Sequence, residues 1–335
     1  MGRFLPPVQV LPIDDAYQGH IKNIDFELWH FEAICDNEYS VLLGVMIYRL
    51  KKSGIVKTRL GIYKNGVANV VSNKTYLLSD VALSNEFLSI KMNNRIQIIF
   101  DQEHYNKTGE WMIKISINEH DITVDLKFIG TTTGWKTKTK YTSWAAILPK
   151  ATVIGSMTLK GQKILLKGKG YHDHNWEQSF TILQKKHGWF CGTIYADSLK
   201  ITWAKEINNP AGGQVVVINQ DINKSNKNRG FYNVPTKDVT FTMTDLMLKN
   251  GLLIPSEIKL KIKETSVGDN ISISAELSMK SCDVQEIRFF TTKYYVCLVK
   301  TTGALKLDTT EEFLQNSSQI IEFPNYMVDK HRTEL

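Results

Sequence analysis

The amino-acid sequence predicts an all-β protein made of two successive antiparallel β-sheet domains. Three observations carry this prediction: apolar residues recur at every second position, turn residues follow at short intervals, and helical periodicity is nearly absent. The chain has 335 residues, of which 42% are hydrophobic. It is therefore long enough to bury a sizeable core and to form two domains.

Alternation of apolar and polar residues predicts a series of half-buried strands. The clearest segments are 113–117, 122–128, 239–243, 258–262 and 271–277. Turn signals such as Asn65-Gly66, Lys160-Gly161 and Asn250-Gly251 separate the segments, and this rhythm is typical of antiparallel barrels or sandwiches. One short helix is predicted over 309–314, because Thr309 and Glu312 have the spacing of a capping box.

The domain boundary is predicted from a polar run over 130–143 that separates two sets of strands. It assigns residues 1–140 to an N-terminal β domain and 141–335 to a C-terminal β-barrel domain. A competing boundary lies near 206–213, where the sequence Asn-Asn-Pro-Ala-Gly-Gly has stronger loop chemistry.

The charge of the chain sets limits on its partners. The net charge is +7, but basic residues are mixed with 34 acidic ones, so a nucleic-acid partner is not required. The densest lysines lie at 136, 138 and 140, and at 160, 163, 167 and 169. Three interpretations of these lysines are open. They could form a solvated face of a strand or a stripe that binds phosphate. They could also attract the protein weakly to an anionic membrane surface, which would suit an enzyme whose substrate is dissolved in lipid.

The location and cofactor predictions follow from missing motifs. The first residues lack the apolar core of a signal peptide, and no segment approaches the roughly 20 apolar residues of a membrane span, so we expect a cytoplasmic protein. The four cysteines lack CxxC spacing. No phosphate-binding loop or Gly-x-Ser-x-Gly elbow is present, and we expect no cofactor and no metal.

One segment, 171–197, is dense in reactive side chains. If its two limbs pair as a hairpin with an even number of loop residues, His174, Trp176, Tyr195 and Asp197 share one face. A carboxyl group held against aromatic rings loses hydration, so its pKa rises and it can act as a general acid. Aromatic faces can stabilise a carbocation.

Plainer interpretations of this segment remain open. His172 and His174 have the spacing of two metal ligands on a strand, but a third ligand is not recognisable. Asp173 and Asn175 share the opposite face and could form only a hydrogen-bonding network that stabilises the barrel. The whole cluster could be structural.

Three motifs carry a resemblance to a known family. The run 168–176 reads Gly-Lys-Gly-Tyr-His-Asp-His-Asn-Trp, the run 27–33 reads Glu-Leu-Trp-His-Phe-Glu-Ala, and the run 149–155 reads Pro-Lys-Ala-Thr-Val-Ile-Gly. Together with Tyr195-x-Asp197, they resemble the carotenoid 1,2-hydratase (hydroxyneurosporene synthase) family of lipocalin-like proteins. The resemblance is clear over residues 25–197 and fades beyond them.

The resemblance implies two tandem lipocalin-like barrels and cofactor-free hydration of an isoprenoid double bond. His174 and Trp176 match the family's His-x-Trp, and Tyr195 and Asp197 match its Tyr-x-Asp. Asp197 would protonate the alkene, Trp176 and Tyr195 would shield the cation, and His174 would orient the acid or the water. The residues expected to bind the apolar isoprenoid or polyene are His172, Trp29, Trp189 and Tyr171.

The match departs from the family at two positions and leaves two other functions open. Glu177 stands where the family has Gly, and Leu28 replaces an aromatic residue. The motif also resembles fungal decalin-forming Diels–Alderases, which would shape a polyene for ring closure. A non-catalytic carrier of a lipid or pigment is the third function. The sequence does not indicate the oligomeric state.

Overall fold

The fold is taken from a computed structural model, which describes most of the chain. The described residues are 4–19, 24–50, 53–119, 121–139, 142–178, 188–207, 213–221, 230–249, 252–268, 271–289 and 292–324. Within them the predicted all-β class is confirmed, because two large antiparallel sheets account for nearly all regular structure.

The first sheet has thirteen strands. They are β1 (Val8–Gln9), β2 (Ile24–Cys35), β3 (Tyr39–Leu50), β4 (Ser53–Lys64), β5 (Val67–Leu77), β6 (Val81–Leu83), β7 (Ser89–Met92), β8 (Ile96–Phe100), β9 (Met112–Glu119), β10 (Ile122–Gly130), β11 (Trp135–Lys138), β12 (Ser143–Leu159) and β13 (Gln162–Gln178). Eleven of them follow the order β5-β4-β3-β2-β13-β12-β10-β9-β8-β7-β6, while β1 pairs with β11 and β11 with β12. The long strand β13 therefore joins the beginning of the chain to its middle.

The second sheet has nine strands in the order β17-β16-β15-β14-β22-β21-β20-β19-β18. They are β14 (Gly188–Tyr195), β15 (Leu199–Ile207), β16 (Gln214–Gln220), β17 (Phe231–Asn233), β18 (Val239–Lys249), β19 (Leu252–Gly268), β20 (Ile271–Phe289), β21 (Thr292–Leu307) and β22 (Thr310–Pro324). All of their pairings are antiparallel.

Hairpin turns form where the sequence places residues that tolerate positive φ. Asn65 and Gly66 have φ of 52° and 78°, and Lys160 and Gly161 have φ of 49° and 79°. Such values at both central positions suit the right-handed twist of a two-residue hairpin. The second turn joins β12 to β13 and sets the register of the strand that carries the 168–176 motif.

The chain divides into two compact units, and the division differs from the predicted boundaries. Pro7–Phe180 forms one unit, here called the N-terminal unit, and Thr181–Leu335 with Met1–Pro6 forms the C-terminal unit. The predicted boundary at 140 lies between β11 and β12, which pair with each other. The polar run therefore contains strand β11 of the first sheet, and the 206–213 alternative falls within the C-terminal unit.

The predicted helix over 309–314 is wrong, because this segment begins β22. Thr310 pairs with Leu307, and the carboxylate of Glu312 accepts hydrogen bonds from Ser198 and from the backbone N–H of Leu199 instead of capping a helix. The α-helix among the described residues is α1 (Gln102–Thr108), whose N-cap Asp101 accepts from the His104 N–H at 3.0 Å. Short 3-10 helices lie at Pro12–Asp15, Leu78–Asp80 and Thr236–Asp238. None of these helices is long and apolar enough to span a bilayer.

Candidate active site

The three motifs of the resemblance lie on adjacent strands of the N-terminal unit. The 27–33 run is in β2, the 168–176 run is in β13, and the 149–155 run is in β12. β13 lies between the other two, so His174 has Trp29 opposite it on one side and Ala145 on the other. Residues far apart in the sequence thus share one part of the sheet.

The two faces of β13 carry different chemistry. His172 and His174 point to the inward face, which Trp29 and Phe31 of β2 share and where the apolar core of the unit lies. Tyr171, Asp173 and Asn175 point to the outward face. The predicted separation of the histidines from Asp173 and Asn175 is therefore correct.

His172 is fully enclosed on the inward face. Its Nδ1 lies 2.9 Å from the carbonyl oxygen of His30, and its Nε2 lies 3.0 Å from both carboxylate oxygens of Asp15. The imidazole stacks on the Phe31 ring, with the ring centroids 3.9 Å apart. Both ring nitrogens therefore have protein partners, and neither is available to a substrate or a metal.

His174 is held in the same way. Its Nδ1 donates to the carbonyl oxygen of Asp14 at 2.8 Å, its Nε2 lies 2.9 Å from Oε1 of Glu27, and its ring stacks on Trp29 with centroids 4.4 Å apart. Burial disfavours the charged ring, but the hydrogen bond to Glu27 and the negative charges of Glu27 and Asp15 outweigh burial and raise the pKa of His174. The raised pKa favours the imidazolium form of His174, which pairs with the buried Glu27 carboxylate.

These contacts fasten the segment 11–18, here called the latch segment, to the sheet. The Trp29 indole N–H donates to the carbonyl oxygen of Asp15 at 3.1 Å, and Oε1 of Glu27 accepts from the Gln18 N–H at 2.8 Å. The Asp14 carboxylate accepts from Lys136 Nζ at 2.7 Å. The inward histidines thus hold the latch segment against the sheet, and their catalytic or substrate-binding roles stay predictions.

Apolar side chains fill the part of the core below the histidines. The void bounded by residues including Phe31, Leu126 and Phe128 measures about 10 Å³, which is at or below the volume needed for one water molecule. This void leaves no room for a polyene.

Asp173 is the central residue of the outward face. Its Oδ2 accepts from the Tyr171 hydroxyl at 2.7 Å and from the Trp144 indole N–H at 3.0 Å, and its Oδ1 accepts from the Asn175 amide at 3.0 Å. Desolvation raises the pKa of this carboxyl group and outweighs the hydrogen bonds and the nearby His30, which act in the opposite direction. Asp173 is therefore suited to hold a proton.

β2 contributes two more ionisable residues to this face. His30 lies directly opposite Asp173, and Glu32 lies opposite Tyr171. His30 Nε2 is 3.1 Å from Oε1 of Glu32. We call Glu32, His30, Tyr171 and Asp173 the outward tetrad. It combines a carboxyl group that favours protonation with an imidazole oriented by a second carboxylate, which is the combination that general acid–base catalysis uses.

The hairpin predicted to bring the four catalytic residues together is wrong. β13 pairs along its two edges with β12 and β2, and β14 pairs with β15 and β22. His174 has a partner on each side, Ala145 in β12 and Trp29 in β2, and the described ladders of β14 are with β15 and β22. Strand pairing therefore does not place His174 or Trp176 opposite Tyr195 or Asp197.

The predicted catalytic residues occupy different surroundings. Trp176 is half-buried, with its ring centroid 4.9 Å from that of His174. Tyr195 is buried in β14, where Lys200 Nζ lies 4.0 Å from the centre of its ring. Asp197 is exposed in the turn between β14 and β15. Burial therefore does not supply the desolvation that the predicted role of Asp197 requires.

The predicted substrate-binding residues lie on different strands and on both faces of β13. His172 and Trp29 belong to the anchors of the latch segment, whereas Tyr171 contacts Asp173 on the outward face. Trp189 lies in β14 opposite Glu206. The side chains of Trp189 and Glu177 lie outside the described part of the structure.

His30, Glu32 and Trp144 were not among the predicted site residues. A signal for the first two was present, because their spacing puts them on one face of the 27–33 strand. The pairing of β2 with β13 could not be predicted from the sequence, because more than one hundred residues separate the two strands. Trp144 is reached only through the pairing of β12 with β13.

Comparisons with known proteins show the fold. No protein-family model matches the sequence, and no curated protein sequence matches it. Three solved structures are similar over most of their lengths. A Nitrosomonas europaea protein assigned provisionally as an AttH has 10% identity and a TM-score of 0.64, covering 95% of this chain and 97% of its own. Kievitone hydratase from Nectria haematococca has 14% identity and a TM-score of 0.60, covering 96% and 94%. CghA has 10% identity and a TM-score of 0.60, covering 96% and 94%.

At sequence identities this low, the structural similarities show a shared architecture. These similarities confirm the predicted fold of two tandem lipocalin-like β domains. One of the proteins with this fold is a hydratase. Membership of the carotenoid 1,2-hydratase family stays a prediction, because it depends on the motifs alone.

Proposed function

We propose that this protein hydrates an isoprenoid-type carbon–carbon double bond in an apolar small molecule, without a cofactor, and that Asp173 is the proton donor. The observation that carries the proposal is the buried Asp173 carboxyl group, whose pKa is raised by desolvation and which lies opposite His30 on the outward face. The shared fold with a hydratase supports the same class of reaction.

The proposed reaction begins with proton transfer from Asp173 to the less substituted carbon of the alkene, which leaves a tertiary cation. The rings of Tyr171 and Trp144, whose polar atoms contact Asp173, stabilise this cation through their faces. Water adds to the cation and gives up a proton to His30, which Glu32 orients. The proton returns to Asp173, so the net change is alkene plus water to tertiary alcohol.

The proposal assigns the acid to Asp173 instead of Asp197 for a physical reason. A carboxylic acid keeps its proton near neutral pH when its charged form is poorly solvated. Asp173 is 9% exposed, whereas Asp197 is an exposed residue of a turn. The family resemblance pointed to Asp197, so the two residues are rival candidates that one experiment can separate.

The experiment compares Asp173→Asn with Asp197→Asn, each incubated with candidate acyclic isoprenoid alkenes in deuterated water. Mass spectrometry measures added water and carbon-bound deuterium. An amide cannot donate the proton, so Asp173→Asn should lower the rate by roughly 10²–10⁴-fold while ligand binding survives. Asp197→Asn should retain activity. Loss of activity in Asp197→Asn alone would overturn the assignment.

The same measurement tests the two other functions. Cyclisation of a polyene, which the resemblance to Diels–Alderases implies, would give a product of unchanged mass without carbon-bound deuterium. Asp173→Asn would then lose much less activity, because the amide keeps the shape of the site and can still donate a hydrogen bond. A carrier would return its ligand unchanged in parent and variant.

A further inference from the structure

The outward face of the N-terminal unit carries a second feature, at the end of β13 opposite to the tetrad. The registers of β10, β12 and β13 place twelve outward side chains side by side. They are Thr123, Asp125, Lys127 and Ile129, then Thr152, Ile154, Ser156 and Thr158, then Lys163, Leu165, Lys167 and Lys169. Four are lysines and one is a carboxylate, so this part of the sheet is positively charged.

Five of these residues form what we call the basic patch: Lys127, Ile154, Lys163, Leu165 and Lys167. The three lysines are exposed, and none of them has an ion pair with another described residue. Two carboxylates lie nearby: Asp125, which accepts a hydrogen bond from the Ser116 hydroxyl at 2.7 Å, and the exposed Asp36, whose N–H donates to the Lys167 carbonyl oxygen. The ammonium groups of the patch face solvent, because all three lysines are exposed.

Two large apolar side chains lie among these charges. Leu165 is 74% exposed and Ile154 is 39% exposed. The register places Ile154 directly between Lys127 and Lys167. The patch also borders a groove of about 670 Å³ whose lining includes Ile99, Lys127 and Ile154, which is large enough for part of a lipid.

We propose that the basic patch docks on a bilayer surface that contains anionic lipids. Lysines gain energy in the negative potential of such a surface, and exposed Leu and Ile side chains gain energy on entering the acyl boundary. A nucleic acid would use the lysines but gains nothing from Leu165 and Ile154, so the mixture favours the bilayer. Docking would bring the enzyme to a membrane-dissolved substrate.

The patch and the tetrad lie on the same face of the same strand. Leu165 and Asp173 are separated by eight residues, which corresponds to about 27 Å along an extended strand. They share no residue, so membrane docking and the proposed hydration can be tested independently. Failure of one leaves the other unaffected.

The test measures sedimentation of the full chain with vesicles of phosphatidylcholine, with and without phosphatidylserine. We expect binding that requires phosphatidylserine and weakens with added salt. Each lysine close to an anionic surface contributes roughly a fivefold increase in binding. The double variant Lys163→Gln/Lys167→Gln should therefore bind roughly 25-fold less, and Leu165→Ser should also bind less.

A matched control is available in the C-terminal unit. Lys261 and Lys263 are exposed on β19, and Lys261→Gln/Lys263→Gln removes the same charge. This control should bind like the parent. Three outcomes would each overturn the proposal. The first is an equal loss of vesicle binding in both double variants, and the second is vesicle binding that does not require phosphatidylserine. The third is a Leu165→Ser variant whose vesicle binding is unchanged and which binds duplex DNA instead.

Discussion

The buried pair of His174 and Glu27 makes the strongest prediction about how the N-terminal unit is held together. Glu27→Gln replaces the carboxylate by an amide of the same shape. The amide oxygen can still accept from the Gln18 N–H, so the backbone contact is preserved. The variant removes the negative charge that stabilises the His174 imidazolium, whose side chain is 0% exposed.

The expected size follows from the burial of both partners. Glu27 has 2% side-chain exposure and lies 2.9 Å from His174. Removing one partner of such a pair costs about 3–5 kcal/mol, because the remaining charge stays buried without compensation. We take the lower end, about 3 kcal/mol, since an amide still offers a hydrogen bond; this corresponds to about a 100-fold change in an opening equilibrium.

Amide hydrogen exchange, measured by mass spectrometry on the full chain, gives a local readout of this loss. Glu27→Gln should speed exchange in the latch segment, residues 11–18, by about 100-fold relative to strands of the C-terminal unit. The control is Glu38→Gln, which removes an exposed carboxylate 3.6 Å from Lys64 Nζ and should change exchange little. Unchanged exchange in Glu27→Gln would show that the pair does not hold the latch segment.

Three further predictions concern the N-terminal unit and one surface cysteine. Because the pKa of His174 is raised above 6.5, the stabilisation of the fold by the His174–Glu27 pair is complete below pH 6.5 and is lost as the pH rises through the raised pKa. Hydrogen exchange of the latch segment, corrected for intrinsic rates, should therefore become faster over that pH range. A flat pH profile would contradict this. Gly155→Ala should lower the free energy of unfolding, measured in urea, by about 1–3 kcal/mol, because the new Cβ would lie 2.0 Å from a backbone oxygen of β10. The control is Gly44→Ala, whose new Cβ has no neighbour closer than 4.0 Å, and its free energy of unfolding should be nearly unchanged. Burial raises the pKa of Cys35 to about 12. A thiol reagent should therefore modify the exposed Cys282 before Cys35. Earlier labelling of Cys35 would argue against the burial of Cys35.

The position of the N-terminal segment explains why the two faces of β13 differ in chemistry. Asp14 and Asp15, in the 3-10 helix Pro12–Asp15, reach the two inward histidines and satisfy their ring nitrogens. The outward Asp173 has neutral donors as its hydrogen-bond partners, so desolvation dominates its pKa. The histidines of the motif therefore hold the latch segment on one face, and its aspartate is a buried carboxyl group with a raised pKa on the other.

Local patterns predicted individual strands well and the single helix poorly. The alternating segments at 113–117, 122–128, 258–262 and 271–277 all lie in strands, because one buried face imposes a period of two. The segment 309–314 had a capping signal but pairs as a strand, since a partner strand supplies more hydrogen bonds than a single helical turn. The helix α1 carried its own signal in Asp101 and Gly109, whose φ of 73° ends the helix.

The sequence by itself determined the all-β class, the positions of most strands and turns, and the opposite facing of His174 and Asp173. These features depend on alternation and on turn residues, which act over a few neighbouring positions. The tertiary structure decided which strands are neighbours: β13 lies between β2 and β12 and does not pair with β14. Pairing between distant strands depends on which edges remain free after the local hairpins form, and no short pattern encodes that. Only the structure therefore placed His30 opposite Asp173 and left Asp197 exposed.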